Sequence, residues 1–189
     1  MIKRVVKVFS FFALFQLVIY SCCEQVYNVY YEQTTLTAID SNDFDASSVT
    51  TENLLLNLNF EYKYIQIADM LDLNHMVDNT YATTCAEDYF FRDSVINITI
   101  TANENVLDIE SGNPINDKLF FINPNTLESQ SLNELVNYLN NHFDGYYYQT
   151  IDLAFNESLP SELSLEFHIK IDLEGGRSLE STTEIITIE

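Results

Sequence analysis

Apolar and polar positions alternate with period two over much of this chain. The pattern is clearest where Leu163, Leu165, Phe167, Ile169, Ile171 and Leu173 are separated by Ser164, Glu166, His168, Lys170 and Asp172. Successive side chains of a strand point to opposite faces, so this run predicts a half-buried strand with Leu165, Phe167 and Ile169 inward and Glu166, His168 and Lys170 in water. It leads into Glu174-Gly175-Gly176-Arg177, and a second β-rich run follows through Thr182, Ile185, Ile186 and Ile188. A glycine turn between two such runs predicts an antiparallel hairpin, residues 163–173 against 179–188. Further strands are expected at 26–39, 54–67, 93–102, 119–122 and 150–155.

One segment follows a different period. Ser131-Leu132-Asn133-Glu134 has the form of a capping box, and Leu132, Leu135, Val136 and Leu139 make one apolar stripe, predicting a short helix that ends near His142. Several antiparallel strands with a single helix, and no βαβ alternation, predict a mainly β domain. An antiparallel β-sandwich is expected, with an immunoglobulin-like arrangement among the options, and one short α-helix lying across a sheet.

The first 21 residues read as an address. Basic Lys3, Arg4 and Lys7 precede the apolar run 8–20, and the small Ser21 precedes Cys22, which are the parts of a secretory signal. The apolar run is shorter than the roughly 20 residues a membrane-spanning helix needs. Ile19-Tyr20-Ser21-Cys22 is similar to the lipobox at which bacterial lipoproteins are cleaved and acylated, although Tyr20 is atypical at its position. Cys22 is therefore the expected lipidation site, and each buried CH₂ of its acyl chains would contribute about 0.8 kcal/mol to anchoring. The expected organisation is a signal peptide at 1–21, a lipidated tether at 22–28 and the β domain at 29–189.

Charge narrows the partners. With Lys3, Arg4 and Lys7 removed, five of the 8 cations remain against 29 acids, a net charge of −24. Lys63, Arg92, Lys118, Lys170 and Arg177 are scattered, so no basic patch is available to neutralise phosphates and nucleic acid is not an expected partner. The expected contact with a membrane runs through the lipid anchor rather than through protein charge.

Ser21-Cys22-Cys23-Glu24 followed by a tyrosine-rich strand, the cysteine in Tyr81-Ala82-Thr83-Thr84-Cys85, the run Asp93-Ser94-Val95-Ile96-Asn97-Ile98-Thr99, and the Leu173-Glu174-Gly175-Gly176 turn leading to Thr182-Thr183 together resemble uncharacterised lipoproteins of Bacteroidetes, a domain family of unknown function. The resemblance implies a β fold and an outer-membrane location, and it brings no catalytic residues. In that group acidic residues just after the lipidated cysteine direct export to the cell surface. Glu24 stands in that position here, and a periplasmic face stays open.

Candidate chemistry is sparse. Once Cys22 carries lipid, Cys23 and Cys85 are the remaining thiols in an oxidising compartment, and a disulfide closing their loop of roughly 60 residues would stabilise the fold by up to about 4 kcal/mol. Two free thiols are the alternative. Non-reducing peptide mapping decides it, and recovery of both cysteines in alkylatable form would rule the bond out.

Asp40, Asp43 and Asp45 offer closely spaced oxygens but lack the glycine and the bidentate Glu of a calcium loop, so a solvated acidic turn is expected. Asp108, Glu110 and Asp117 around Ser111-Gly112-Asn113-Pro114 read the same way. His75, His142 and His168 share no ligand spacing, so no metal or cofactor is expected.

Tyr146, Tyr147 and Tyr148, after Phe143-Asp144-Gly145, are the candidate binding surface, able to stack on a glycan or a peptide, although consecutive strand residues must face both ways. Two function classes compete: a non-enzymatic surface module binding a glycan, peptide or envelope protein, and an envelope hydrolase with an acidic site. The sequons Asn97-Ile98-Thr99 and Asn156-Glu157-Ser158 would also suit a secreted glycoprotein.

Overall fold

The computed structural model describes residues 25–41, 48–50, 52–67, 87–141 and 150–189. The chain divides into two compact units, one of Met1–Val29 with Tyr64–Phe91 and a larger one of Tyr30–Lys63 with Arg92–Glu189. The strands are β1 (Gln25–Asp40), β2 (Ser48–Val49), β3 (Leu54–Gln66), β4 (Glu87–Phe91), β5 (Val95–Ala102), β6 (Leu119–Ile122), β7 (Ser129–Ser131), β8 (Thr150–Phe155), β9 (Ser164–Leu165), β10 (Phe167–Leu173), β11 (Ser178–Thr182) and β12 (Ile186–Ile188). The helix α1 spans Leu132–Asn141. The fold is mainly β, with several sheets and one α-helix among the described residues.

In the larger unit the sequence period becomes burial directly. β3 buries Leu54, Leu56, Leu58 and Phe60 and leaves Leu55, Asn57 and Asn59 half-buried. One sheet runs β1-β3-β8-β6-β7. Its register sets Leu56 beside Leu153 and Leu153 beside Phe121, a row of three fully buried side chains. A second sheet, β11-β10-β5, aligns Ile98, Ile171 and Leu179 in the same way. The third, β2-β12-β9, pairs Val49 with Ile188 and Ile186 with Leu165. The inward faces of all three merge in one core with Leu132, Leu135, Tyr138 and Leu139 of α1. Layers meeting in a common core are consistent with a sandwich.

α1 starts as its sequence predicts. The Ser131 N–H and hydroxyl both donate to the Glu134 carboxylate, at 2.8 and 3.0 Å, and the Glu134 N–H returns to the Ser131 hydroxyl. This reciprocal cap satisfies N–H groups that no helical carbonyl can reach. Tyr138 joins the buried stripe, its ring centroid 5.6 Å from that of Phe121.

The C-terminal hairpin differs from the single long pair expected. β10 and β11 pair around Gly175 and Gly176, whose φ of +89° and +83° suits only glycine without strain. Beyond His168↔Thr182 the pairing resumes at Leu165↔Ile186, three residues further on one strand and four on the other, and in a different sheet. Thr183 makes the corner: its hydroxyl accepts the Phe167 N–H at 2.9 Å and its own N–H reaches the Phe167 carbonyl. One extra residue bends a strand pair, and here the bend hands the chain to another sheet. The outer side chains Glu166, His168 and Lys170 are half-buried rather than fully in water, because β10 is the central strand of its sheet.

Two asparagines finish the free side of β5. The Asn140 side chain accepts the Val95 N–H and donates to the Val95 carbonyl, both at 2.8 Å. The Asn116 side chain accepts the Ile100 N–H at 2.9 Å and donates to the Ile98 carbonyl at 2.6 Å. Each primary amide replaces one peptide of a missing neighbour strand. The Ile115 and Gly112 N–H groups continue the cover by donating to the Ile100 and Ala102 carbonyls. An unpaired edge would be a template for association, and this one is closed by side chains.

In the smaller unit β4 lies parallel to the first residues of β1, with Tyr27 opposite Tyr89 and Val29 opposite Phe91. The Ile67 N–H donates to the Val26 carbonyl at 2.9 Å, tying the end of β3 to the same strand. β1 begins at Gln25, so from there on the chain assigned to a tether is strand.

Candidate functional site

Strand geometry in the smaller unit brings three tyrosines onto one face. Tyr27 and Tyr89 are register partners and stack with centroids 5.4 Å apart and planes 19° apart. Tyr64 meets Tyr89 edge-on at 5.9 Å. Both geometries suit the ring quadrupole, and a pair of this kind contributes about 0.5–1.5 kcal/mol beyond its burial. Partial burial pushes the Tyr64 phenol above its usual value, so it stays a neutral hydrogen-bonding group at physiological pH.

Tyr64 is 44% exposed, and Ile65, Ile67 and Phe90 are 44%, 40% and 48% exposed, Ile65 and Phe90 facing the opposite side of the sheet as the strand neighbours of Tyr64 and Tyr89. Residues 25–31 and 64–67 contain no charged side chain, in a chain with 29 acids, whereas β4 opens with Glu87 and Asp88, the register partners of Gln25 and Val26.

The residues singled out from sequence are placed as follows. Cys22, Cys23, Cys85, His75, His142, Asp43, Asp45 and Tyr146, Tyr147 and Tyr148 lie outside the described residues. Asp40 is not part of a solvated turn: β1 extends to it and buries it to 9% exposure. Asp108 is held by Lys118, whose Nζ lies 2.8 Å from its carboxylate and 3.0 Å from that of Glu157. The hydrogen bond from Lys118 keeps the Asp108 carboxyl below its ordinary range, and the Asp108 bond in turn raises the Lys118 amine. Both charged forms are favoured, the opposite of what a proton-transfer pair needs.

His168 lies with Nε2 3.7 Å from the Glu180 carboxylate on the outer face of β10 and β11. Asn97 uses its side-chain N–H on the Thr99 hydroxyl, and Asn156 uses its own on the Asp117 carbonyl. Both sequon amides thus have a hydrogen-bond partner within the chain. Among the described residues no three His, Cys, Asp or Glu side chains gather where they could hold a metal ion.

Arg177 follows the hairpin glycines and ties strands together. Its guanidinium donates to the Tyr31 carbonyl at 2.6 Å and pairs with Asp93, whose carboxylate also accepts the Tyr31 N–H at 3.0 Å. The Ser181 hydroxyl accepts the Leu36 N–H at 2.9 Å, a second link from β11 to β1. Burial, with Tyr62 and Asp93 adding to it, drives the Tyr31 phenol far above its ordinary range. These polar groups hold sheet to sheet.

The tyrosine cluster was missed in the sequence because it depends on a parallel pairing between β1 and β4, whose register partners are 62 residues apart on the chain. The available signal was the charge-free stretches that meet there. No protein-family model, no curated protein and no solved structure matches this chain. Among the described residues no helix is long and apolar enough to cross a membrane, which says nothing of β-barrels.

Proposed function

We propose that this chain is an exported bacterial lipoprotein, held to the outer membrane by acyl chains on Cys22, whose β domain acts at the cell surface as a non-enzymatic binding or structural module. The observation that carries this reading is the leader itself: Lys3, Arg4 and Lys7, an apolar run, and Ile19-Tyr20-Ser21-Cys22, followed after Cys23 and Glu24 by the first strand. The anchor and the fold are nearly contiguous. Support for a non-enzymatic role comes from the polar side chains: Asn116, Asn140, Asp93, Arg177 and the Lys118 cluster are occupied in holding strands and loops. The acidic surface favours a glycan, a peptide or an envelope protein as partner over nucleic acid.

Replacing Cys22 by Ala should release the protein from the membrane fraction, and the intact mass of the native protein should include the acyl chains. A Cys22→Ala protein that stayed with membranes, beside a native protein without acyl mass, would end this reading. A mass increment of glycan in its place would favour the secreted glycoprotein.

A further inference from the structure

We infer that a Cys23–Cys85 disulfide closes the β1–β4 pair at the end where both strands begin, and that strand register selects Cys23 over Cys22 as the partner of Cys85. This goes beyond the lipoprotein reading. It needs an exported protein and does not need the acyl chains.

The first argument is register. β1 and β4 run parallel through consecutive pairs from Gln25↔Glu87 to Val29↔Phe91, and every partner in β4 is 62 residues beyond its partner in β1. The offset is constant, so no bulge interrupts the pair. Both cysteines lie outside the described residues, two positions before Gln25 and Glu87. Cys23 and Cys85 are separated by the same 62 residues. Continuing the pairing by one two-residue repeat of the strand therefore sets Cys23 opposite Cys85.

The second argument is distance and face. Paired strands lie about 4.7–4.9 Å apart, and a disulfide takes Cα atoms about 4.4–6.8 Å apart. Positions two apart on a strand share a face, so the register assigns both cysteines to the face of Tyr27 and Tyr89. On that face register partners meet, since those two rings stack with centroids 5.4 Å apart. Cys22 is one position out of register with Cys85, which assigns it to the opposite face, that of Val26 and Asp88. Its sulfur is left out of the pair, and in the lipoprotein reading it is the one that is acylated.

The third argument is what the bond does. β4 is the outermost strand of its sheet, and parallel pairing is slightly less stable per residue than antiparallel. A covalent link where β1 and β4 begin stops that short pair from fraying there. The bond forms by exchange with a donor disulfide, which an oxidising compartment supplies. One cysteine thiolate attacks the donor and releases a thiolate, and the second cysteine thiolate displaces the other donor sulfur. The two cysteines lose two protons and two electrons, and the donor becomes two thiols.

Full-length native protein would be alkylated without prior reduction, digested and sequenced by fragmentation. One cross-link joining Cys23 to Cys85 is the expected result. A Cys22–Cys85 link, a link between two chains, or alkylation of both Cys23 and Cys85 would overturn the inference. Acyl mass on Cys22, or its lack, decides the anchor separately. Cys22→Ala protein then separates register from proximity, because only two thiols remain in the chain. In mixtures of reduced and oxidised glutathione its bond should close about 10-fold more favourably than that of Cys22→Ala/Cys23→Ser/Glu24→Cys, which moves one thiol a single residue out of register. Equal closure by the two proteins would overturn the inference, by showing that the thiols meet without the pairing of β1 and β4.

Discussion

Phe167→Ala should lower the unfolding free energy by about 3–5 kcal/mol, and His168→Ala by less than about 0.5 kcal/mol, although the two residues are neighbours. Phe167 is fully buried, and its ring centroid is 5.7 Å from that of Phe155. Truncation removes its transfer free energy and leaves a cavity where β10 turns towards β9. A domain is stable by about 5–15 kcal/mol in all, so the loss is a large fraction of the total. The His168 side chain is 41% exposed and faces Glu180 at 3.7 Å, a contact that water and salt screen. Thermal and urea melts of the two variants read the difference. Equal destabilisation, or a larger loss for His168→Ala, would mean that the outer face of β10 has a buried role.

That asymmetry was legible in the sequence because a strand's period is two and β10 keeps it without interruption. β3 and β8 were legible for the same reason and β6 by its continuous apolar run, with bounds within a residue of those expected. α1 was legible through its cap, since Ser131 and Glu134 act within one turn. The elements that went unread are those whose partners decide them. β7 is Ser-Gln-Ser and has no apolar signature, β2 has two residues, and β4 exists through its parallel pairing with β1.

The corner at Thr183 was hidden for another reason. Its hydroxyl substitutes for a backbone group, and nothing in a threonine among β residues signals that. For the candidate site, Tyr146, Tyr147 and Tyr148 drew attention by being adjacent, whereas Tyr27, Tyr64 and Tyr89 meet only through pairing. Adjacency on the chain says little about a sheet surface, where neighbours come from different strands.

The same limit applies to Asn116, an unremarkable loop residue in sequence, and it sets up the second large effect. Asn116→Ala should cost about 2–4 kcal/mol, because it strands two backbone groups of β5, the Ile100 N–H and the Ile98 carbonyl, each worth about 1–3 kcal/mol when left without a partner. Asn97→Ala removes an exposed amide that donates to the Thr99 hydroxyl, and should be near neutral. Asn116→Asp separates hydrogen bonding from bulk. Its carboxylate can accept from Ile100 but must face the Ile98 carbonyl with a second oxygen lone pair, so it should not restore stability. Chemical denaturation gives the totals, and amide exchange gives the place: the Ile100 amide should lose protection in Asn116→Ala well before the amides on the opposite, β10-paired side of β5. A variant as stable as the parent, with Ile100 still protected, would show that loop backbone or water takes over the edge and that the asparagine is dispensable. If the edge does open, the variant should also aggregate more readily at high concentration, since a bare strand next to Ile98 and Ile100 offers a second chain the pairing that Asn116 now occupies.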